Sequence, residues 1–167
     1  MTFRSEKPLD ALDWRILEVL QADGRLSFKE IGRRVNLSAP AVAERVRRLE
    51  DQGVITGYQV KIDARQAGYP FNAFIEMRCS LGKCLLKTST ADDYPEVAEV
   101  HKLSGDHCVM LRVRAASLEH LEGLFERLGT HGEMRSSIVL STQYQDRPVE
   151  PPVEDYLRAT PASGWQR

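Results

Sequence analysis

The sequence predicts an α+β chain of two small domains, and three observations carry that expectation. Two short helix signatures joined by a tight polar turn lie between Arg25 and Tyr58, a turn-rich break follows at residues 63–70, and patterns in the order βαββαβ fill residues 71–146. With 167 residues, 42% hydrophobic and 28% charged, the chain can hold one medium domain or two small ones, and two fit the break better.

Residues 1–8 have no periodicity and read as an arm. Asp10 then caps a first helix, with Leu9 able to staple against Trp14 and with Leu12, Ile16, Leu17 and Leu20 as its buried face. Trp14 reads as a core wedge. Asp23-Gly24 stops this helix. Ser27 opens the second, Glu30 completes a capping box with it, and Leu26 faces Ile31 as a hydrophobic staple. Asn36-Leu37-Ser38 supplies a turn and a new N-cap, and Pro40 sits in the first turn of the third helix, where its missing N–H costs little.

On that third helix Val42, Val46 and Leu49 form an apolar stripe, while Pro40, Ala41, Glu44, Arg47 and Arg48 are expected to point away. Between Arg25 and Arg48 seven cations face two carboxylates, although the whole chain has a formal net charge of −1. Phosphate is the natural counterpart of such a surplus. The bland alternative is a solvated face, with Glu44 pairing Arg48 four residues on. The small residues Ser38, Ala39 and Ala41 tip the balance, because a recognition helix must bring its N-terminal turn close to base edges. The candidate DNA-contacting set is Ser27, Ser38, Ala39, Pro40, Ala41, Glu44, Arg45, Arg47 and Arg48. Gly53 ends the helix, and residues 54–62 alternate as a small wing or linking strand, so residues 9–62 form a winged helix-turn-helix of three helices plus a β-wing.

Residues 71–81 alternate with Phe71, Ala73, Ile75, Met77 and Cys79 on one side, the pattern of a strand over a core. A helix is expected over residues 83–93, strands over 97–103 and 109–113, a helix capped by Ser117 with Leu118, Leu121, Leu124, Phe125 and Leu128, and a last strand over 136–144. That order is ferredoxin-like, with helices on one face of a four-stranded sheet. The open face calls for a second copy of the chain as cover. Prolines 148, 151, 152 and 161 preclude regular structure, so residues 147–167 read as an extended tail in which Trp165 carries no function.

Several classes are excluded or disfavoured. No apolar run spans a membrane and no leader precedes the first helix, so a cytoplasmic protein without membrane partner is expected. Cys79, Cys84 and Cys108 are odd in number and lack a CxxC pair, which speaks against a disulfide framework and a structural metal. His101, His107 and Cys108 do not make a metal set either, because His107 and Cys108 are adjacent and would face opposite sides of a strand. No nucleophile, phosphate loop or paired-carboxylate motif marks an enzyme, and no cofactor is expected.

Leu12-Asp13-Trp14-Arg15-Ile16-Leu17, Asp23-Gly24-Arg25-Leu26-Ser27, Leu37-Ser38, Arg45-Val46-Arg47-Arg48-Leu49-Glu50 and Gly53-Val54-Ile55-Thr56-Gly57-Tyr58 together resemble the N-terminal half of the Lrp/AsnC family of transcription regulators. Residues 71–145 resemble its βαββαβ sensing and dimerisation domain more loosely. The resemblance implies a sequence-specific regulator of double-stranded DNA that assembles as a dimer, or as an octamer of four dimers, and answers to an amino acid or related metabolite. It also implies that the strand at residues 54–62 pairs with its copy in a partner chain. The effector loop of the family, usually Gly-Asp-Tyr-Asp at its last four positions, falls on Gly105, Asp106, His107 and Cys108, and two family threonines fall on Met134 and Ser136. Losing an acid at Cys108 removes the partner of an α-amino group, so an apolar ligand or a vestigial site is expected. An architectural DNA-compacting protein without effector is the alternative, and the two differ in specificity ratio.

Overall fold

A computed structural model describes residues 8–152 of the chain. The expected arm at residues 1–8 lies almost wholly outside the described residues, as do Pro161 and Trp165. The described residues form two compact units, one running to Gln59 and taking in the tail from Asp146, the other spanning Val60–Gln145.

The first unit is built from α1 (Ala11–Ala22), α2 (Phe28–Val35) and α3 (Ala39–Asp51). Each begins where a side chain satisfies an orphan N–H. Asp10 and Asp13 form a reciprocal capping box, as do Ser27 and Glu30, and Ser38 accepts from the Ala41 N–H at 3.4 Å. Asn36 ends α2 in the left-handed region at φ 65°, which an asparagine tolerates. Ile16, Leu17, Ile31, Val35, Val42, Val46 and Leu49 make the core, with Leu9, Trp14, Leu26 and Leu37 packed around it. The tail does not simply trail away: Gln21 donates to the Val149 carbonyl at 3.0 Å and accepts from its N–H at 2.7 Å.

The wing is the first departure. Residues 54–62 form no strand, and Val60 and Ile62 stand 85% and 74% exposed. A strand needs a partner for its backbone groups, and one chain supplies none here.

In the second unit β1 (Phe71–Cys79), β2 (Val97–Lys102), β3 (Val109–Ala115) and β4 (Gly132–Ile138) form one antiparallel sheet in the order β2-β3-β1-β4, the ferredoxin-like arrangement. α4 (Leu85–Thr88) and α5 (Leu118–Gly129) complete the unit. Ala73, Ile75 and Met77 of β1 meet Val109, Leu111 and Val113 of β3 and Leu121, Leu124 and Leu128 of α5 in a fully enclosed core. Ser117 caps α5 by accepting from the His120 N–H.

Two expectations need correction. The helix over residues 83–93 shrinks to the single turn of α4 and a 3-10 turn at Ala91–Asp93, since Ser89 leaves the helical conformation and Thr90 instead caps the second turn against Asp93. The last strand is not at residues 136–144. It starts at Gly132, which pairs with Cys79, and stops at Ile138 opposite Ala73, because β1 begins at Phe71 and offers little beyond. The expected strand runs on past the point where its partner can pair with it.

A buried carboxylate joins β2 to α5. Glu96 is 8% exposed, its Oε1 sits 3.0 Å from His120 Nε2 and is bonded by Arg127, and its Oε2 has no partner among the described residues. Burial pushes this carboxyl up, but hydrogen bonds from its own backbone N–H, His120 and Arg127 outweigh that and hold it below its usual 4.5. A depressed folded-state value stabilises the protein above the ordinary value, and the contribution disappears as the pH falls below 4.5 and through the lower folded value. Thermal unfolding followed against pH should therefore decline more shallowly on acidification in Glu96→Gln than in the wild type.

One glycine is demanded by contact. A Cβ at Gly32 would stand 2.4 Å from the Leu37 carbonyl oxygen, in the turn between α2 and α3. Gly32→Ala should cost about 1–3 kcal/mol through forced backbone movement, read as a lower unfolding midpoint by circular dichroism.

Candidate DNA interface and effector site

α3 presents its N-terminal turn to solvent. Ser38 and Pro40 are exposed, Ala39 and Ala41 are half-buried, and none of the four carries bulk or charge that would keep a base edge away. Ser27, Lys29, Arg33 and Arg34 of the neighbouring helix are exposed as well. The Ser27 hydroxyl and N–H both donate to Glu30, which holds that carboxyl below its usual range.

The three arginines of α3 do not share one role. Arg47 is turned outward, 78% exposed, with Asp51 four residues on at 4.0 Å. Arg45 and Arg48 turn inward. Arg45 Nη1 donates to Asp10 at 2.7 Å and to Asp13 at 2.8 Å, and Arg48 Nη2 donates to both oxygens of Asp13 at 2.6 and 2.7 Å. The expectation that Arg48 points away is thus corrected, since Arg48 reaches back to α1; the bland alternative, a Glu44–Arg48 pair, does not describe it either. Arg45, with the Asp13 backbone N–H, holds the Asp10 carboxyl below its usual value, and both carboxylates raise Arg45.

Asp13 is the functional residue that sequence patterning missed. It sits on the core side of α1 and its side chain is only 1% exposed. Nothing in its local pattern sets it apart, because its partners lie 32 and 35 residues away. The clamp fixes α3 against α1 and so sets how the N-terminal turn of α3 is presented.

In the second unit the expected effector residues fall in two groups. Gly105, Asp106 and His107 lie in the loop joining β2 to β3, which is closed by the Leu103 N–H donating to the Cys108 carbonyl at 3.0 Å. Gly105 has φ 112°, a conformation open to glycine, and Gly105 and Asp106 are exposed while His107 is half-buried. Met134 and Ser136 lie within β4, opposite Met77 and Ile75, rather than before the last strand. Met77 is flanked by both groups, for its carbonyl also accepts from the Cys108 N–H at 2.9 Å. Loop and β4 residues are therefore about two strand spacings apart, roughly 10 Å.

A cleft lies elsewhere in this unit. It measures about 250 Å³ and is lined by Leu85, Leu86, Ser89, Thr90, Ala91, Tyr94, Val97 and Val100. None of the expected effector residues borders it. One juxtaposition was invisible to spacing rules: the sulfurs of Cys79, Cys84 and Cys108 all lie within 4.8 Å of one another. The absence of a CxxC pair says nothing about thiols brought together from three elements. No helix among the described residues is long and apolar enough to cross a membrane.

The clamp makes a sharp prediction. Asp13→Ala leaves Arg45 and Arg48 without their central partner, though both arginines reach solvent and Arg45 keeps Asp10, so the loss should be about 1–3 kcal/mol. Denaturant unfolding should show that loss, whereas Asp51→Ala, which removes only the exposed partner of Arg47, should change stability by less than about 0.5 kcal/mol.

Comparison with known proteins agrees with this architecture. Residues 9–50 match the AsnC-type helix-turn-helix domain, and residues 72–149 match the Lrp/AsnC ligand binding domain. The uncharacterized HTH-type transcriptional regulator YezC of Bacillus subtilis is 38% identical over 134 residues, which is 80% of this chain and 95% of that protein. The structure of B. subtilis LrpC superposes with a TM-score of 0.76 at 31% identity, covering 81% of this chain and 97% of that one. A feast or famine regulatory protein from M. tuberculosis, solved as a complex with L-methionine, gives 0.72 at 34% identity over 86% of this chain and all of that one. These families and relatives are regulators and not enzymes. A clamped recognition helix beside an exposed basic face, joined to a four-stranded sensing unit, thus places the chain in the Lrp/AsnC family of DNA-binding transcription regulators.

Proposed function

We propose that residues 9–62 bind a specific double-stranded DNA site through the N-terminal turn of α3, with Arg47 on phosphate, and that residues 71–146 sense an amino acid. The observation that carries this reading is the division of labour among the α3 arginines: two are spent on Asp10 and Asp13, and Arg47 is left 78% exposed on the same helix. Ser27, Ser38, Ala39, Pro40 and Ala41 form the base-facing and backbone-facing surface, Glu44 borders it, and Arg45 and Arg48 hold it in place. The protein works in the cytoplasm as a dimer, with four dimers forming an octamer. Exposed Val60 and Ile62 and the exposed Phe74 on the uncovered face of the sheet support this assembly, because each is apolar surface that a second copy would cover. Residues 63–70 link the two domains, and residues 147–167 form a tail.

Gly105, Asp106, His107, Cys108, Met134 and Ser136 line an effector site that is completed between copies. The M. tuberculosis relative holds L-methionine. A ligand of that kind suits this chain, since a thiol at Cys108 and a thioether at Met134 favour apolar contact over a charged handle.

The decisive experiment is a salt series of DNA binding by fluorescence anisotropy on the full chain. Arg47→Ala should weaken binding and flatten the slope of log K against log salt by about 0.9, one phosphate, with the unfolding midpoint unchanged. Arg45→Ala and Arg48→Ala should lose affinity and stability together. Equal slopes for wild type and Arg47→Ala would remove Arg47 from the interface, and an isotherm unmoved by L-methionine would remove that ligand.

A further inference from the structure

The three cysteines of the chain converge at one end of the sheet. Cys79 is the last residue of β1, Cys84 stands at the N-cap of α4 and Cys108 immediately precedes β3. All three are free thiols, partly exposed, and their sulfurs lie within 4.8 Å of one another. A tetrahedral ion with metal–sulfur bonds of about 2.3 Å holds its sulfurs about 3.8 Å apart. The observed arrangement is within an ångström of that span, a distance that small rotations about χ1 can close.

The backbone around the thiols is fastened at each corner. Gly82, at φ 78°, turns the chain between Cys79 and Cys84, and the Lys83 N–H donates to the Ser80 carbonyl at 3.0 Å. The Ser80 N–H donates to the His131 carbonyl at 2.8 Å. Gly132 packs so closely under this corner that a Cβ there would lie 2.2 Å from the Arg78 oxygen and 2.9 Å from Cys79 Cα. Cys84 makes no side-chain capping bond, so its sulfur is not committed to α4. The Cys79 N–H donates to Cys108 Sγ at 3.4 Å, the kind of bond that stabilises a metal-bound thiolate.

We propose that Cys79, Cys84 and Cys108 form a three-thiolate site for a thiophilic d10 metal ion such as Zn2+ or Cd2+, with the fourth position open to solvent. Soft sulfur ligands select such ions over hard cations. Each thiol gives up its proton to solvent on binding, and no electron is exchanged. The occupied site ties together the end of β1, the start of α4 and the loop carrying Gly105 and Asp106. It stands independently of DNA binding.

The test is a titration of the reduced full-length protein with Cd2+ under argon, followed by thiolate-to-metal charge-transfer absorption in the ultraviolet. One ion per chain should saturate the band, and Cys79→Ser, Cys84→Ser and Cys108→Ser should each weaken binding at least tenfold. A measurement on wild type needs no variant: bound Zn2+ should slow iodoacetamide alkylation of all three cysteines at least tenfold, resolved by mass spectrometry of peptides. A band without saturation at one equivalent, or protection of one or two cysteines only, would overturn the site. Rapid loss of two free thiols in air that Zn2+ does not prevent would overturn it as well, assigning the sulfurs to a disulfide.

Discussion

The geometry of the DNA-binding unit depends on one buried carboxylate. Asp13 is enclosed on the core side of α1, where an unpaired charge would cost several kcal/mol, and Arg45 and Arg48 of α3 neutralise it. Such a pair adds little net stability over an apolar contact, since both charges lose water to form it. Its value lies in direction. Arg48 approaches Asp13 through both oxygens and Arg45 bridges Asp13 to Asp10, so α3 can hardly rotate about its axis without breaking several short bonds at once. Orientation of that helix is what presents Ser38–Ala41 and turns Arg47 outward. Two of the charges that seem made for DNA are thus framework.

This explains which features could be read in the sequence. The caps at Asp10, Ser27, Ser38 and Ser117 were legible because each is completed within three residues, and local hydrogen bonds leave local signatures. The core of β1 was legible because strand period is fixed at two. Asp13 was not, for a wheel drawn on α3 alone sees two arginines on its flank and cannot see the acid that draws them in. The end of β4 was equally hidden: it is set by where β1 begins, more than sixty residues earlier, and not by the residues of β4 itself. α4 failed for another reason, since Ser89 and Thr90 compete for their own backbone and divide one expected helix into two turns.

The second unit repeats the device in weaker form. Glu96 is pinned by Arg127 and His120 from α5, tying β2 to the helix layer, while its second oxygen lacks a partner among the described residues. What this unit does not do alone is cover itself. Val60, Ile62, Phe74 and Leu140 remain exposed, and extended apolar segments without strand partners are a liability in an isolated chain. The same segment that failed to form a wing gains both hydrogen bonds and burial if a copy lies beside it. In one chain Met134 and Ser136 of β4 and the β2–β3 loop stand about two strand spacings apart, on either side of β1.

The thiol corner bears on that same loop. Gly105 and Asp106 are separated from Cys108 by one or two residues, and Cys108 is held by the N–H of Cys79 and by the Met77 carbonyl. The loop is thus free at its tip and anchored at its C-terminal end, where the sulfur of Cys108 faces those of Cys79 and Cys84. A ligand on the sulfurs would stiffen the anchor without occupying the tip. Coupling between the two would run by two short routes, the backbone step of His107 and the hydrogen bond that fastens the loop's other end at Leu103 to the Cys108 carbonyl. Small changes at the sulfurs would then shift the whole hairpin end and not one side of it, which is the mechanical condition for one site to bias another across a short rigid turn.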